Sequence, residues 1–81
     1  MVRVVKMTFR PEEVAVFQEL FEDWRHKIIA SPGCQHLQLL HDRHDPRIFM
    51  TYSVWRSPED LEAYRNSSVF ASVWPVVKRM F

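Results

Sequence analysis

Phe49, Thr51, Ser53 and Trp55 occupy every second position of the run IFMTYSVW. On an extended backbone alternate side chains share a face, so two aromatic rings and two hydroxyls line up on one side. A face made only for packing is purely apolar, whereas a binding cavity sets a few polar groups among apolar ones. Tyr64, Phe70 and Trp74 add further rings downstream, and His36 adds an imidazole upstream. Together they outline a candidate cavity walled by Phe49, Trp55, Tyr64, Phe70 and Trp74, with Thr51, Ser53 and His36 as its polar points. Such a lining could hold a small aromatic molecule and hydrogen-bond to it. The same aromatics serve equally well as core and subunit interface.

Other chemistries find less support. His36, His41 and His44 cluster, but strand alternation sends His36 and His41 to opposite faces, and His41 with His44 would supply only two ligands. No metal site is expected. Cys34 is a lone thiol; His36, two residues on, is placed on its face and could lower its pKa. The default for such a residue is a small half-buried side chain. Thr51 and Ser53 lack the glycine-rich elbow and acid–base partners of a nucleophile. Gly33 is the only glycine, so no phosphate-cradling loop exists. The third strand also lacks the Lys/Arg-Gly-Phe pattern of RNA-recognition domains, and nucleic acid is not an expected partner.

The elements that must position these residues follow from periodicity. Arg3, Val5, Met7 and Phe9 alternate with Val2, Val4, Lys6 and Thr8, which predicts a strand over Val2–Phe9. Pro11 opens a helix with Glu12 and Glu13 in its first turn. Val14, Phe17, Leu20, Phe21, Trp24 and Ile28 form its apolar stripe, and Pro32-Gly33 ends it. Cys34–His41 is a second strand, with Cys34, His36, Gln38 and Leu40 on one side and Gln35, Leu37, Leu39 and His41 on the other. A polar turn, Asp42–Pro46, leads to the third strand, Ile48–Trp55, whose even positions Ile48, Met50, Tyr52 and Val54 are apolar. Ser57 caps a helix with Pro58 in its first turn, and Arg65 ends it. A last helical pattern runs from Val69 to Phe81, with Pro75 inside it expected to kink or divide it. The resulting order is α+β and ferredoxin-like, βαββαα, with helices on one face of an antiparallel sheet. The chain stops before the fourth strand of that pattern, and Phe81 is where a connection to it would begin.

The chain of 81 residues is expected to form one domain over residues 1–81. It is 47% hydrophobic, which excludes a disordered segment. Its net charge is +1 without a basic run, and its longest apolar runs are far short of a bilayer span, so neither nucleic acid nor membrane is expected. A single cysteine and an N-terminus without a signal-peptide block fit a reduced, cytoplasmic setting. A domain this small buries only about 60% of its unfolded surface. With 14% aromatics, it is expected to bury the excess in a pocket and against a second copy of itself.

The segments VRVVKMTFRPEEVAVF, SPGCQHLQLL, DPRIFMTYSVW and SPEDLEAYRNSSVFASVWPVVKRMF resemble the antibiotic biosynthesis monooxygenase domain family of the dimeric α/β-barrel superfamily, over essentially the whole chain. The resemblance implies a homodimer whose two sheets pack into a barrel. It implies oxygenation of a small aromatic or quinol substrate by O₂ without any cofactor, through deprotonation to an electron-rich anion. On that scheme Trp55 is the cavity wall, Thr51 and Ser53 position polar groups, His36 is the candidate base and Tyr64 a hydrogen-bond donor. Thr51 stands where active members often carry Asn, and Leu61 where some carry Tyr. A non-catalytic ligand-binding or structural dimer is the alternative. Haem degradation, performed by relatives of the fold, would need a cavity-facing helical histidine, and the only helical one, His26, falls on the polar side of its helix.

Overall fold

The N-terminal alternation forms strand β1, Val2–Thr8, in a computed structural model that describes all 81 residues. After a 3-10 turn at Pro11–Glu13, helix α1 spans Val14–Ile29. The proline therefore starts a tighter turn, and α-helix proper begins three residues later than the sequence pattern places it. Its buried residues, Phe17, Phe21, Trp24 and Ile28, are the stripe expected from their three- and four-residue spacing. Strands β2, Cys34–His41, and β3, Ile48–Trp55, follow. Helices α2, Pro58–Arg65, and α3, Ser68–Lys78, complete the chain. No helix is long and apolar enough to cross a membrane.

The sheet has the order β1-β3-β2, with both pairings antiparallel. This is the ferredoxin-like α+β arrangement, with three strands and three helices. The central strand β3 carries the register. Val2 lies opposite Val54 and Thr8 opposite Ile48 on one side, and Leu37 opposite Ser53 on the other. Phe49, Ser53 and Trp55 are buried, while Ile48, Met50, Tyr52 and Val54 stay half-exposed. The helices thus cover the odd face of β3. The purely apolar even face, whose pattern suggested the packed side, is left open by this chain.

Local chemistry explains the corners. Ser57 Oγ accepts the Asp60 N–H at 3.2 Å and caps α2, while Arg56 grips the Asp60 carboxylate at 2.8 Å. This pairing holds the Asp60 carboxyl below its ordinary pKa. Ser67 caps α3 in the same way, accepting from Phe70 N at 3.3 Å. Pro75 does not divide α3, which runs unbroken to Lys78. The carbonyl it leaves unbonded is that of Ala71, an exposed residue whose oxygen water can serve.

Gly33 is the one residue with positive φ, +82°, and its carbonyl accepts from Arg56 N at 2.8 Å. A Cβ here would run into the Asp60 side chain. Gly33→Ala is therefore expected to lose about 1–3 kcal/mol from the left-handed backbone alone, with more from displacing Asp60. A urea titration against the parent chain measures it.

Candidate functional site

Between the sheet and the helices lies a cavity of about 50 Å³. Thr51, Ser53 and Trp55 reach it from β3, Tyr64 from α2, and Phe70 and Trp74 from α3. Six of the residues anticipated for the site are therefore gathered at one place. Liquid water occupies about 30 Å³ per molecule, and a dry cavity of about 150 Å³ is known to admit benzene. The space as it stands holds a water or two and is too small for an aromatic ring.

Trp55 is 1% exposed, so its indole N–H needs an internal partner. It donates to Ser53 Oγ at 2.9 Å, and Ser53 Oγ donates onward to the Arg3 carbonyl at 3.4 Å. The Ser53 proton is thereby committed to the protein, and the residue is part of the cavity's frame. The rings then follow in sequence. Tyr64 stacks on Trp55 at 4.9 Å, Phe70 meets Tyr64 edge-on at 5.4 Å, and Trp74 stacks on Phe70 at 6.0 Å. Phe70 and Trp74 are half-exposed, unlike the buried Trp55 and Tyr64.

Two anticipated residues lie elsewhere. Phe49 is on the expected face but one step too far along β3, packed against Phe9 and Phe17 in the core at 5.8 and 5.4 Å. His36 is on the opposite face of the sheet. Cys34 pairs with Trp55 and His36 with Val54, so two steps of β2 match one of β3 and Gln35 is an extra residue. This shift breaks the alternation that put Cys34 and His36 together. Cys34 packs against the core with Leu37 and Leu39, while His36 is exposed, edge-on to Tyr52 at 6.2 Å and 3.4 Å from Gln38 Oε1. His36 therefore cannot act as a base inside the cavity. The thiol expectation changes with it, since burial pushes the Cys34 pKa up.

The lining contains no Asp, Glu or His. Its one charged member is Arg3, which the sequence pattern marks only as part of an alternating strand. The signal was present, since Arg3 shares its face with Val5, Met7 and Phe9, but nothing nearby in sequence linked it to Phe70. Its guanidinium lies over the Phe70 ring, 5.8 Å from the centroid. Burial raises the Tyr64 pKa, against a smaller opposing pull from Arg3, so the phenol stays protonated and can donate. The Thr51 and Tyr64 hydroxyls make no hydrogen bond within the chain. No three His, Cys, Asp or Glu side chains converge on a point, and His26 is exposed on α1.

Ser53→Ala is expected to cost about 1–3 kcal/mol, because it strands a buried indole N–H. Denaturant unfolding followed by tryptophan fluorescence reads the loss. An unchanged midpoint would mean that Trp55 has another acceptor.

Comparison with known proteins agrees with this architecture. A conserved protein from Methanosarcina mazei Go1 superposes with a TM-score of 0.91 at 21% identity, covering 99% of this chain and 78% of its own. A solved antibiotic biosynthesis monooxygenase gives 0.88 at 21% identity, with 99% and 85% covered. Rv0793 from Mycobacterium tuberculosis gives 0.86 at 19% identity, with 99% and 80% covered. At these identities the likeness establishes the fold. Among curated proteins there is no match. The family description "antibiotic biosynthesis monooxygenase" matches residues 1–73. With that match spanning most of the sequence, and with the sheet and helices arranged as its solved relatives have them, the chain belongs to the antibiotic biosynthesis monooxygenase family.

Proposed function

We propose that the protein is a cofactor-independent monooxygenase that oxidises a small hydroxylated aromatic, a phenol or quinol type of compound, with O₂. The observation that carries this reading is the aromatic cavity with unpaired hydroxyls, Thr51 and Tyr64, beside a buried, hydrogen-bonded Trp55. Family membership supports the class of reaction.

The chemistry is as follows. Loss of the hydroxyl proton puts a full electron pair on the ring oxygen and raises electron density at the ring carbons. The electron-rich carbon transfers electrons to O₂ and forms a C–O bond, giving a ring peroxide anion that takes back a proton from water to become the hydroperoxide. Loss of water, taking the ring hydrogen and breaking the O–O bond, leaves a carbonyl. Overall a hydroxyarene and O₂ become a quinone and H₂O. Tyr64 donates a hydrogen bond to the substrate oxygen, Thr51 orients it, and the apolar walls exclude bulk water from the peroxide. Entry of a ring requires the half-exposed pair Phe70 and Trp74 to turn outward, because the cavity is smaller than a ring.

Aerobic and anaerobic incubations with a panel of hydroquinones and naphthols test the proposal. O₂-dependent gain of one oxygen atom is expected, a quinone from a naphthol and a hydroxyquinone from a hydroquinone, with Tyr64→Phe lowering kcat about 10²-fold, the usual size for one lost donor. Absence of turnover across the panel, with ligand still bound, would favour the competing reading of a binding dimer without chemistry. The small volume of the cavity is the observation on that side.

We also propose that two copies pair through the open face of the sheet. Val2, Val4 and Leu40 are 51%, 57% and 37% exposed there, beside the half-exposed Ile48, Met50, Tyr52 and Val54. An apolar strip of this kind, flanked on the same face by Lys6, His36 and Gln38, is costly in water. Light scattering at micromolar concentration is expected to give the mass of two chains, and Val4→Lys to shift it toward one. A monomeric parent protein would refute the pairing.

A further inference from the structure

An anion must form in this cavity if the oxygenation proposed above is right, yet its lining holds no Asp, Glu or His to take the proton. The only charge is on Arg3. Cations elsewhere on the molecule fall into two groups. Arg10, Arg25, Lys27, Arg47, Arg56 and Arg65 each sit within 4 Å of a carboxylate. Lys6, Arg43, Lys78 and Arg79 have no such partner but are exposed to solvent. Arg3 alone is withdrawn from water without a carboxylate. Its guanidinium faces the Phe70 ring, a weak partner for a planar group with five donors.

We propose that Arg3 is the anion receptor of the cavity, binding the ionised oxygen of a hydroxyarene and so selecting the phenolate from solution. The O–H bond breaks heterolytically, the proton passes to water, and the electron pair stays on the oxygen held by the guanidinium. A fixed positive charge thus replaces the missing base: it stabilises the product of deprotonation and accepts no proton itself. Phe70 is the placeholder. When it swings out to admit a ring, Arg3 exchanges an aromatic face for a charged oxygen, and the movement that opens the cavity frees the receptor. Tyr64, whose phenol stays protonated beside Arg3, supplies a second donor to the same oxygen. An inward charge on an edge strand also discourages edge-to-edge pairing, but that role requires neither Phe70 nor a free phenol in front of it.

The test uses 4-nitrophenol, whose ionised form absorbs in the visible, and its uncharged ether 4-nitroanisole, both without O₂. The parent protein is expected to bind nitrophenolate at least tenfold more tightly than the ether, and to lower the apparent pKa of the bound phenol by about one unit or more, the equivalent of that tenfold preference. Arg3→Met is expected to abolish both effects and Arg3→Lys to keep part of them. Equal affinity for phenolate and ether, an unshifted probe, or no binding at millimolar probe would overturn the receptor, and all three are read on the parent protein whether or not the variants fold. A change in self-association on Arg3→Met with phenolate preference intact would also overturn it, in favour of edge protection. The inference rests on the oxygenation reading for its purpose, but the two fail separately. Phenolate preference without quinone formation leaves the receptor and removes the monooxygenase, and O₂-dependent turnover without phenolate preference does the reverse.

Discussion

A single hydrogen bond, from the Trp55 indole to Ser53, holds together what the fold and the site both need. A tryptophan at 1% exposure cannot leave its N–H unpaired. The acceptor two residues back on β3 is within reach because alternate side chains of a strand stand side by side. Ser53 has one proton left, and it goes to the carbonyl of Arg3 on the neighbouring strand. Two hydroxyl lone-pair and proton positions thus lock the central strand to the edge strand at the point where the cavity's charge enters. With Trp55 fixed, Tyr64 has a ring to stack on, and Phe70 and Trp74 continue the row outward.

The polarity of the cavity is divided in a way that follows from this lock. Groups satisfied by the protein, Ser53 and the Trp55 N–H, define shape. Side-chain polar groups with no hydrogen-bond partner in the chain, those of Arg3, Thr51 and Tyr64, define what an occupant meets. The satisfied set sits deepest, where an unpaired polar atom would be most costly. The unsatisfied set has Phe70 and Trp74 for neighbours, which are still half in contact with solvent. The aromatic ladder therefore runs from rigid to adjustable.

Much of this was legible in the sequence. Period-two alternation located all three strands, the Phe17–Phe21–Trp24–Ile28 stripe located α1, and Ser57-Pro58 marked the start of α2. The side of β3 that carries the site was readable from Phe49, Thr51, Ser53 and Trp55. What could not be read came from non-local geometry. Phe49 belongs to the core because Phe9 and Phe17 close over that end of the strand. Ser53 frames the cavity because a carbonyl from fifty residues away lies opposite. Arg3 matters through Phe70, and no local pattern joins a first strand to a last helix. Pro75 sat harmlessly in α3 because the carbonyl it deprives is on the wet side.

The extra residue at Gln35 has an effect on how such a chain tolerates length change. An insertion or deletion in a strand ordinarily inverts every side chain beyond it. Here Cys34 lies on one side of the step and Leu37 and Leu39 on the other, so the two stretches of β2 hold their facing independently. Loss or gain of a residue at the step alters only the short Cys34 end and its turn to Gly33. The same event between Leu37 and His41 would turn Leu39 out to water and bring polar neighbours inward. The strand thus has one place where its length can drift without disturbing the layer above it, and that place lies beside the end of β3 where Trp55 sits.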